Sequence, residues 1–312
     1  MVTGTLTPRV APTHEDPDLH LLLRGAPRAQ LAWLRARGLP DATLLALHNA
    51  CQQRCFFCAG PGTSEVARGE ISSLAAALAH LAARPDGVTR LLVGGNEPTA
   101  HPEFDAVLQA IRPSGFSSFE LMTSGATLRQ RLAACLSAGL AEVVVPLYSA
   151  EAALHDKIVG APSFHTVVAG LDAAHAAGVR VRVHTLLWRE TVDGLGRLAT
   201  LVSTRWACRL GVALPRDKDR FDFSASVPDF LTAAHAVAAL PPELRPLGLL
   251  TPACLPTFTA TPPLLAELYF RSQRRTFGAA CTACALRPDC SGAVVAWRDR
   301  VSPPGDPRGP PV

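Results

Sequence analysis

Between residues 42 and 214 the chain alternates short apolar runs with longer Ala/Leu stretches of helical period, six times over. The apolar runs lie at 44–48, 91–93, 119–122, 143–147, 179–187 and 208–214, and helix-like stretches at 73–83, 102–111, 128–138, 164–177 and 192–202 separate them. Strands separated by helices cannot pair as hairpins, so the pattern predicts a parallel sheet covered by helices, an α/β fold. Six units are two short of a closed eight-fold barrel, which makes a partial (β/α)6 TIM-like barrel the expected architecture. Its ligand site belongs at the carboxyl ends of the strands.

The loop after the first run reads Asn49-Ala50-Cys51-Gln52-Gln53-Arg54-Cys55-Phe56-Phe57-Cys58. Most protein-held cubane clusters take four cysteines. Three thiolates, Cys51, Cys55 and Cys58, would leave one iron open for a ligand the protein does not supply. A zinc site is the alternative, and it would want a fourth Cys or His close by. Neither residue type occurs between Cys58 and His80.

Nine cysteines in a chain without a basic-then-apolar export signal point to metal or redox chemistry rather than a disulfide framework. A reducing cytoplasm is the expected location. With 48% hydrophobic and 18% charged residues the composition is globular. The net charge of +4 comes without a Lys/Arg run interleaved with aromatics, so a nucleic-acid partner is not expected. No apolar run reaches the ~18 residues of a membrane span.

The spacing of the three cysteines, with aromatic Phe57 just before the last, resembles the cluster loop of the radical S-adenosylmethionine (radical SAM) enzymes. In that family a 4Fe–4S cluster binds the amino and carboxylate groups of SAM at its open iron. The second strand ends in Val93-Gly94-Gly95-Asn96-Glu97-Pro98-Thr99. It is similar to the family's Gly-Gly-Glu-Pro turn, except that Asn96 stands where the second Gly is usual. The resemblance assigns Gly94, Gly95, Asn96 and Glu97 to the methionine ammonium of SAM.

Further on, Leu121-Met122-Thr123-Ser124-Gly125 resembles the end of the family's third strand and adds Ser124 to the SAM site. The segment His155-Asp156-Lys157-Ile158-Val159-Gly160, then Ser163-Phe164, resembles one found in peptide-modifying members. On the fourth strand Pro146 occupies a position where many relatives carry a ribose-contacting Ser, with Tyr148 or Ser149 as substitutes. The fifth strand carries a polar row, Arg180, Arg182 and His184, at period two. Two readings stay open: a tilted edge strand with solvated charges, or a row facing a polar barrel interior. In the second, Arg182 and His184 line the SAM site, with Arg182 near the SAM carboxylate. The resemblance covers residues 42–215.

Near the other end Cys281-Thr282-Ala283-Cys284 is followed by Cys290, a metal-site spacing, and Cys254 can supply a fourth ligand. The set is similar to the SPASM and shorter twitch extensions of radical SAM enzymes, which bind an auxiliary 4Fe–4S cluster; a four-cysteine zinc knuckle is the alternative. The position four residues past Cys290, where the larger SPASM pattern has another Cys, is Val294. Cys135 and Cys208 are expected to be core thiols.

The expected organisation is a loose segment plus one helix over 1–40, the core over 41–225, an auxiliary-cluster unit over 226–301 and a disordered tail over 302–312. The resemblance implies reductive cleavage of SAM and hydrogen abstraction from a substrate C–H bond. A ribosomally made peptide is the first substrate reading, as an oxidation or cross-link, with leader recognition by a separate protein. A small natural product, a formylglycine-type maturation and a non-enzymatic Fe–S or zinc protein are the alternatives. A low-potential donor such as flavodoxin or ferredoxin is the implied electron partner, and no catalytic residue is assigned.

Overall fold

The computed structural model describes residues 26–36, 39–47, 51–58, 73–213 and 221–248, together with Pro215 and the pairs 275–276, 282–283 and 293–294. Seven strands form one sheet in chain order: β1 Thr43–Leu47, β2 Arg90–Gly95, β3 Ser118–Met122, β4 Leu140–Pro146, β5 Arg180–Leu186, β6 Gly211–Ala213 and β7 Leu247–Gly248. Every neighbouring pair is parallel. Helices α1 Pro27–Arg35, α2 Leu74–Ala82, α3 Phe104–Ile111, α4 Leu128–Ala138, α5 Ala152–Val159, α6 Phe164–Ala176 and α7 Leu195–Trp206 accompany the first six strands.

The period-two alternation of each strand sorts its side chains onto two faces. Leu45, Val93, Leu121, Val143 and Val181 form one cross-strand row, and Leu47, Val145 and Val183 extend the same face. They share a core with Leu81, Val107, Leu132, Leu171 and Val202 from the covering helices. The opposite face carries Leu44, Ala46 and Leu92 against Leu34 of α1. Toward the amino ends of the strands that face becomes ionic. Arg90 pairs with Glu120, and Glu142 takes Arg180 at 3.0 Å and Arg182 at 3.6 Å. Arg180, Arg182 and His184 align with Glu142, Val144 and Pro146 across β4, while Val181 and Val183 pack on the helices. The polar row of β5 is thus a row of the sheet's concave face, where Glu120 and Glu142 supply the opposite charge.

The described part of α1 begins at Pro27, with Ala26 held extended, as the residue before a proline prefers. Its Gln30 amide brackets Leu44, donating to the carbonyl and accepting from the N–H, each at 3.0 Å. This satisfies backbone groups on the sheet's terminal strand, β1.

Two features depart from expectation. A seventh strand extends the sheet, with Gly211 and Val212 of β6 opposite Leu247 and Gly248. The barrel's core also runs past residue 225. Val227, Ala233, Ala234, Val237 and Leu240 pack into it, and Arg189 donates at 3.0–3.1 Å to the carbonyls of Ser224, Ala225 and Val227. Helices α8 Phe223–Ser226 and α9 Phe230–Ala238 therefore belong to the barrel's covering layer. A helix over 228–239 is legible in the sequence and matches α9; the two-residue strand β7 is too short to show a period.

Beyond them, β8 Arg275–Thr276 and β9 Ala293–Val294 pair antiparallel. Cys254, Cys281, Cys284 and Cys290, the N-terminal segment 1–25 and the tail 302–312 lie outside the described residues. Among the described residues no helix is long and apolar enough to cross a membrane.

Candidate active site

The cysteine loop follows β1 at the carboxyl end of the sheet and is docked by the segment after β4. The N–H of Arg54 donates to the carbonyl of Val159 at 2.7 Å, and the N–H of Cys58 to the carbonyl of Cys55 at 3.0 Å. Gly160 sits at φ +63, where a Cβ would come within 2.8 Å of the Arg54 carbonyl oxygen. Only glycine fits that left-handed position under the loop. Asp156 secures the same bed by accepting from the N–H groups of Ser163 and Phe164 at 2.9 and 2.8 Å.

Cys51, Cys55 and Cys58 are all half-buried. Burial pushes the Cys51 thiol up to about 11, with Glu97 and then Cys58 adding to the shift, and the Cys55 thiol up to about 12, with Cys58 and Cys51 adding to it. The three thiols are therefore electrostatic neighbours. Among the described residues no three Cys, His, Asp or Glu side chains converge on one point as a single ion would require.

Aromatic rings join this loop to the ends of β4 and β5. Phe57 meets Tyr148 at 5.4 Å and Trp188 at 5.1 Å, and Phe56 meets Trp188 at 4.8 Å and Phe221 at 5.8 Å between centroids. Tyr148 is buried, and Ser149 caps its own turn by accepting from the N–H of Glu151 at 3.0 Å.

At the end of β2, Gly94 and Gly95 lie opposite Ala46 and Leu47 of β1. Gly95 has φ +120, and a Cβ there would stand 2.2 Å from the Leu47 carbonyl oxygen. The glycine is thus required by the approach of β1, a reason the motif alone does not reveal. Asn96 is half-buried.

Glu97 is fully buried at 0% exposure. Its Oε1 accepts from Thr99 Oγ1 at 2.5 Å, Thr123 Oγ1 at 2.6 Å and the Thr99 N–H at 3.2 Å, and its Oε2 from the Ser124 N–H at 2.6 Å. The carboxylate therefore ties the end of β2 to the end of β3. Ser124 enters through its backbone, an arrangement legible only once the two strands are known to be neighbours.

Arg182 faces the concave side but is engaged by Glu142. Burial raises the Glu142 carboxyl above its ordinary range, with Arg182 acting against it and Glu120 adding to it. Burial also pushes the His184 imidazole down to about 4, which leaves it neutral at physiological pH. Of the two leftover thiols, Cys135 is fully buried in α4 and Cys208 packs against the main core.

The family model of the radical SAM superfamily matches residues 45–202, which span the cysteine loop and the ends of β1 to β5. The chain belongs to that superfamily. It is 30% identical over 160 residues to the GTP 3',8-cyclase of Edwardsiella ictaluri, covering 48% of this chain and 47% of the relative. It is 29% identical over 185 residues to the PqqA peptide cyclase of Rhodopseudomonas palustris, covering 56% and 47%. The chain thus spans about half the length of these curated relatives. Among solved structures, Streptococcus suis SuiB bound to S-adenosylmethionine superposes with a TM-score of 0.47 at 15% identity, over 62% of this chain and 45% of that one.

Radical SAM membership implies a 4Fe–4S cluster and SAM. The donor set fits that cluster. It comprises three adjacent thiols at the carboxyl end of the sheet, and a cluster in which each iron takes its own thiolate does not need them to meet at one point.

Proposed function

We propose that this chain is a radical SAM enzyme whose cluster is held by Cys51, Cys55 and Cys58 and which abstracts hydrogen from a substrate C–H bond. The observation that carries the reading is the three-thiol loop beside the Gly94–Glu97 turn, at the carboxyl end of a parallel sheet. When bound, the cluster and SAM supply one-electron cleavage of the sulfonium to methionine and a 5′-deoxyadenosyl radical; that hard chemistry belongs to the cofactor.

The protein's part is binding, orientation and exclusion of water. Glu97 keeps the ends of β2 and β3 in register, so that Gly94, Gly95, Asn96 and Ser124 present backbone groups to the methionine end of SAM. Phe57, with Tyr148 and Trp188 behind it, walls the loop from solvent. Neutral His184 and Glu142-paired Arg182 line the concave face below. Arg182 reaches the SAM carboxylate only by sharing its guanidinium with Glu142, whose desolvation its charge offsets.

The substrate reading we favour is a ribosomally made peptide, converted by oxidation or cross-linking, because a peptide cyclase is among the curated relatives. The similarity to a GTP cyclase keeps a small-molecule substrate as the second reading. Cys254, Cys281, Cys284 and Cys290 are proposed to hold an auxiliary 4Fe–4S cluster. The antiparallel pairing of Arg275–Thr276 with Ala293–Val294 supports this, since it closes the segment that carries three of the four cysteines. A low-potential flavodoxin- or ferredoxin-type donor would supply the electron.

The substrate test is anaerobic incubation of the reduced, reconstituted protein and SAM with short peptides encoded beside its gene. The expected result is a peptide mass lowered by two hydrogens and formed in step with 5′-deoxyadenosine. Turnover of a small molecule with every such peptide unchanged would favour the second reading.

A further inference from the structure

A continuous hydrogen-bonded chain runs from the end of β4 to the middle cysteine of the loop. The Tyr148 N–H donates to Nδ1 of His155 at 3.3 Å, and Nε2 of His155 lies 3.5 Å from Ser163 Oγ. Ser163 Oγ is 3.1 Å from Nε2 of Gln53, and Oε1 of Gln53 is 3.7 Å from Cys55 Sγ. His155 is fully buried, and Ser163 and Gln53 are nearly so at 5% and 6% exposure.

The direction of these bonds can be assigned from one end. Nδ1 of His155 accepts, so the neutral ring carries its proton on Nε2 and donates to Ser163 Oγ. With the Gln53 amide as placed, Ser163 Oγ is offered a second donor, while its own hydroxyl hydrogen has no acceptor among the described residues. That orientation suits a protonated Cys55, whose S–H donates to Oε1 of Gln53. A cysteine bound to iron has no S–H to give, and Oε1 would then face a thiolate. Rotating the amide by half a turn removes both defects. Ser163 Oγ–H then donates to Oε1, and Nε2 of Gln53 donates to the sulfur.

We propose that Gln53 donates a side-chain hydrogen bond to the Cys55 thiolate when the cluster is bound, and that His155 and Ser163 are positioning residues that fix its amide. This rests on Cys55 being a cluster ligand. An N–H pointed at a ligating sulfur stabilises the more negative, reduced cluster, and such bonds are among the determinants of Fe–S potentials. The chain is then a device that eases the reduction on which SAM cleavage depends.

The test is an EPR-monitored redox titration of the reconstituted 312-residue chain. It follows the cluster signal that changes on adding SAM, which separates this cluster from any other in the chain. Gln53→Leu should shift the midpoint to a more negative potential. Ser163→Ala, which keeps the amide but removes the hydroxyl that orients it, should shift it the same way by less. Should Gln53→Leu fail to assemble a cluster, Ser163→Ala decides alone. A wild-type midpoint in every variant that assembles would overturn the proposal while leaving the ligand assignment standing. A wild-type protein with no SAM-responsive signal would instead overturn the assignment beneath it.

Discussion

At the scale of single residues, Glu97 joins two roles that the motif alone would separate. Four donors converge on its buried carboxylate, so removing it strands the Thr123 hydroxyl and the Ser124 N–H in a dry site. A buried donor left without a partner costs about 1–3 kcal/mol. Glu97→Ala should therefore lower the unfolding free energy by at least that much in urea titration, as well as weakening SAM. Unchanged stability would show that the carboxylate is not the β2–β3 tie. Arg182 makes a second prediction, through pH. The Glu142 carboxyl titrates above its ordinary value of 4.5 in the folded chain because it is buried, and the charge of Arg182 is the largest single influence holding it down. An acid whose folded pKa is raised loses stability as pH climbs from its unfolded pKa through its folded one. Arg182→Met raises that pKa further. Its melting temperature should match wild type most closely below pH 4.5, then fall behind as pH rises, and level off. A deficit constant across pH would place the effect elsewhere.

At the scale of elements, the turn from α5 into α6 is the bed on which the cysteine loop lies. Gly160→Ala places a Cβ in contact with Arg54 in a left-handed conformation costing an L-residue about 1–2 kcal/mol. The loop should shift more than the barrel melts. Iron bound after reconstitution should drop well below wild type, while the melting temperature of the apo-protein falls by only a few degrees. Full iron loading would mean that the loop does not depend on this bed. The bed was visible in the sequence only as a resemblance, because its function lies in contacts between segments about 105 residues apart. The six repeats were legible because each strand buries one apolar row against a helix. The inward row of β5 was half legible: its period stood out, but its partner Glu142 sits on another strand, β4. Strand β7, with two paired residues, carries no period to read.

At the scale of the whole molecule, the account rests on the separation of two cysteine sets along one chain. Cys51, Cys55 and Cys58 belong to the barrel's carboxyl end, while Cys254, Cys281, Cys284 and Cys290 follow its last strand. The most direct measurement is 5′-deoxyadenosine production from SAM by the anaerobically reconstituted, chemically reduced protein, beside the Cys51→Ala/Cys55→Ala/Cys58→Ala variant. Wild type should bind about eight irons per chain, four for each cubane cluster, and release 5′-deoxyadenosine. The triple variant should release none and keep about four irons. A triple variant that still forms 5′-deoxyadenosine would contradict the central claim outright.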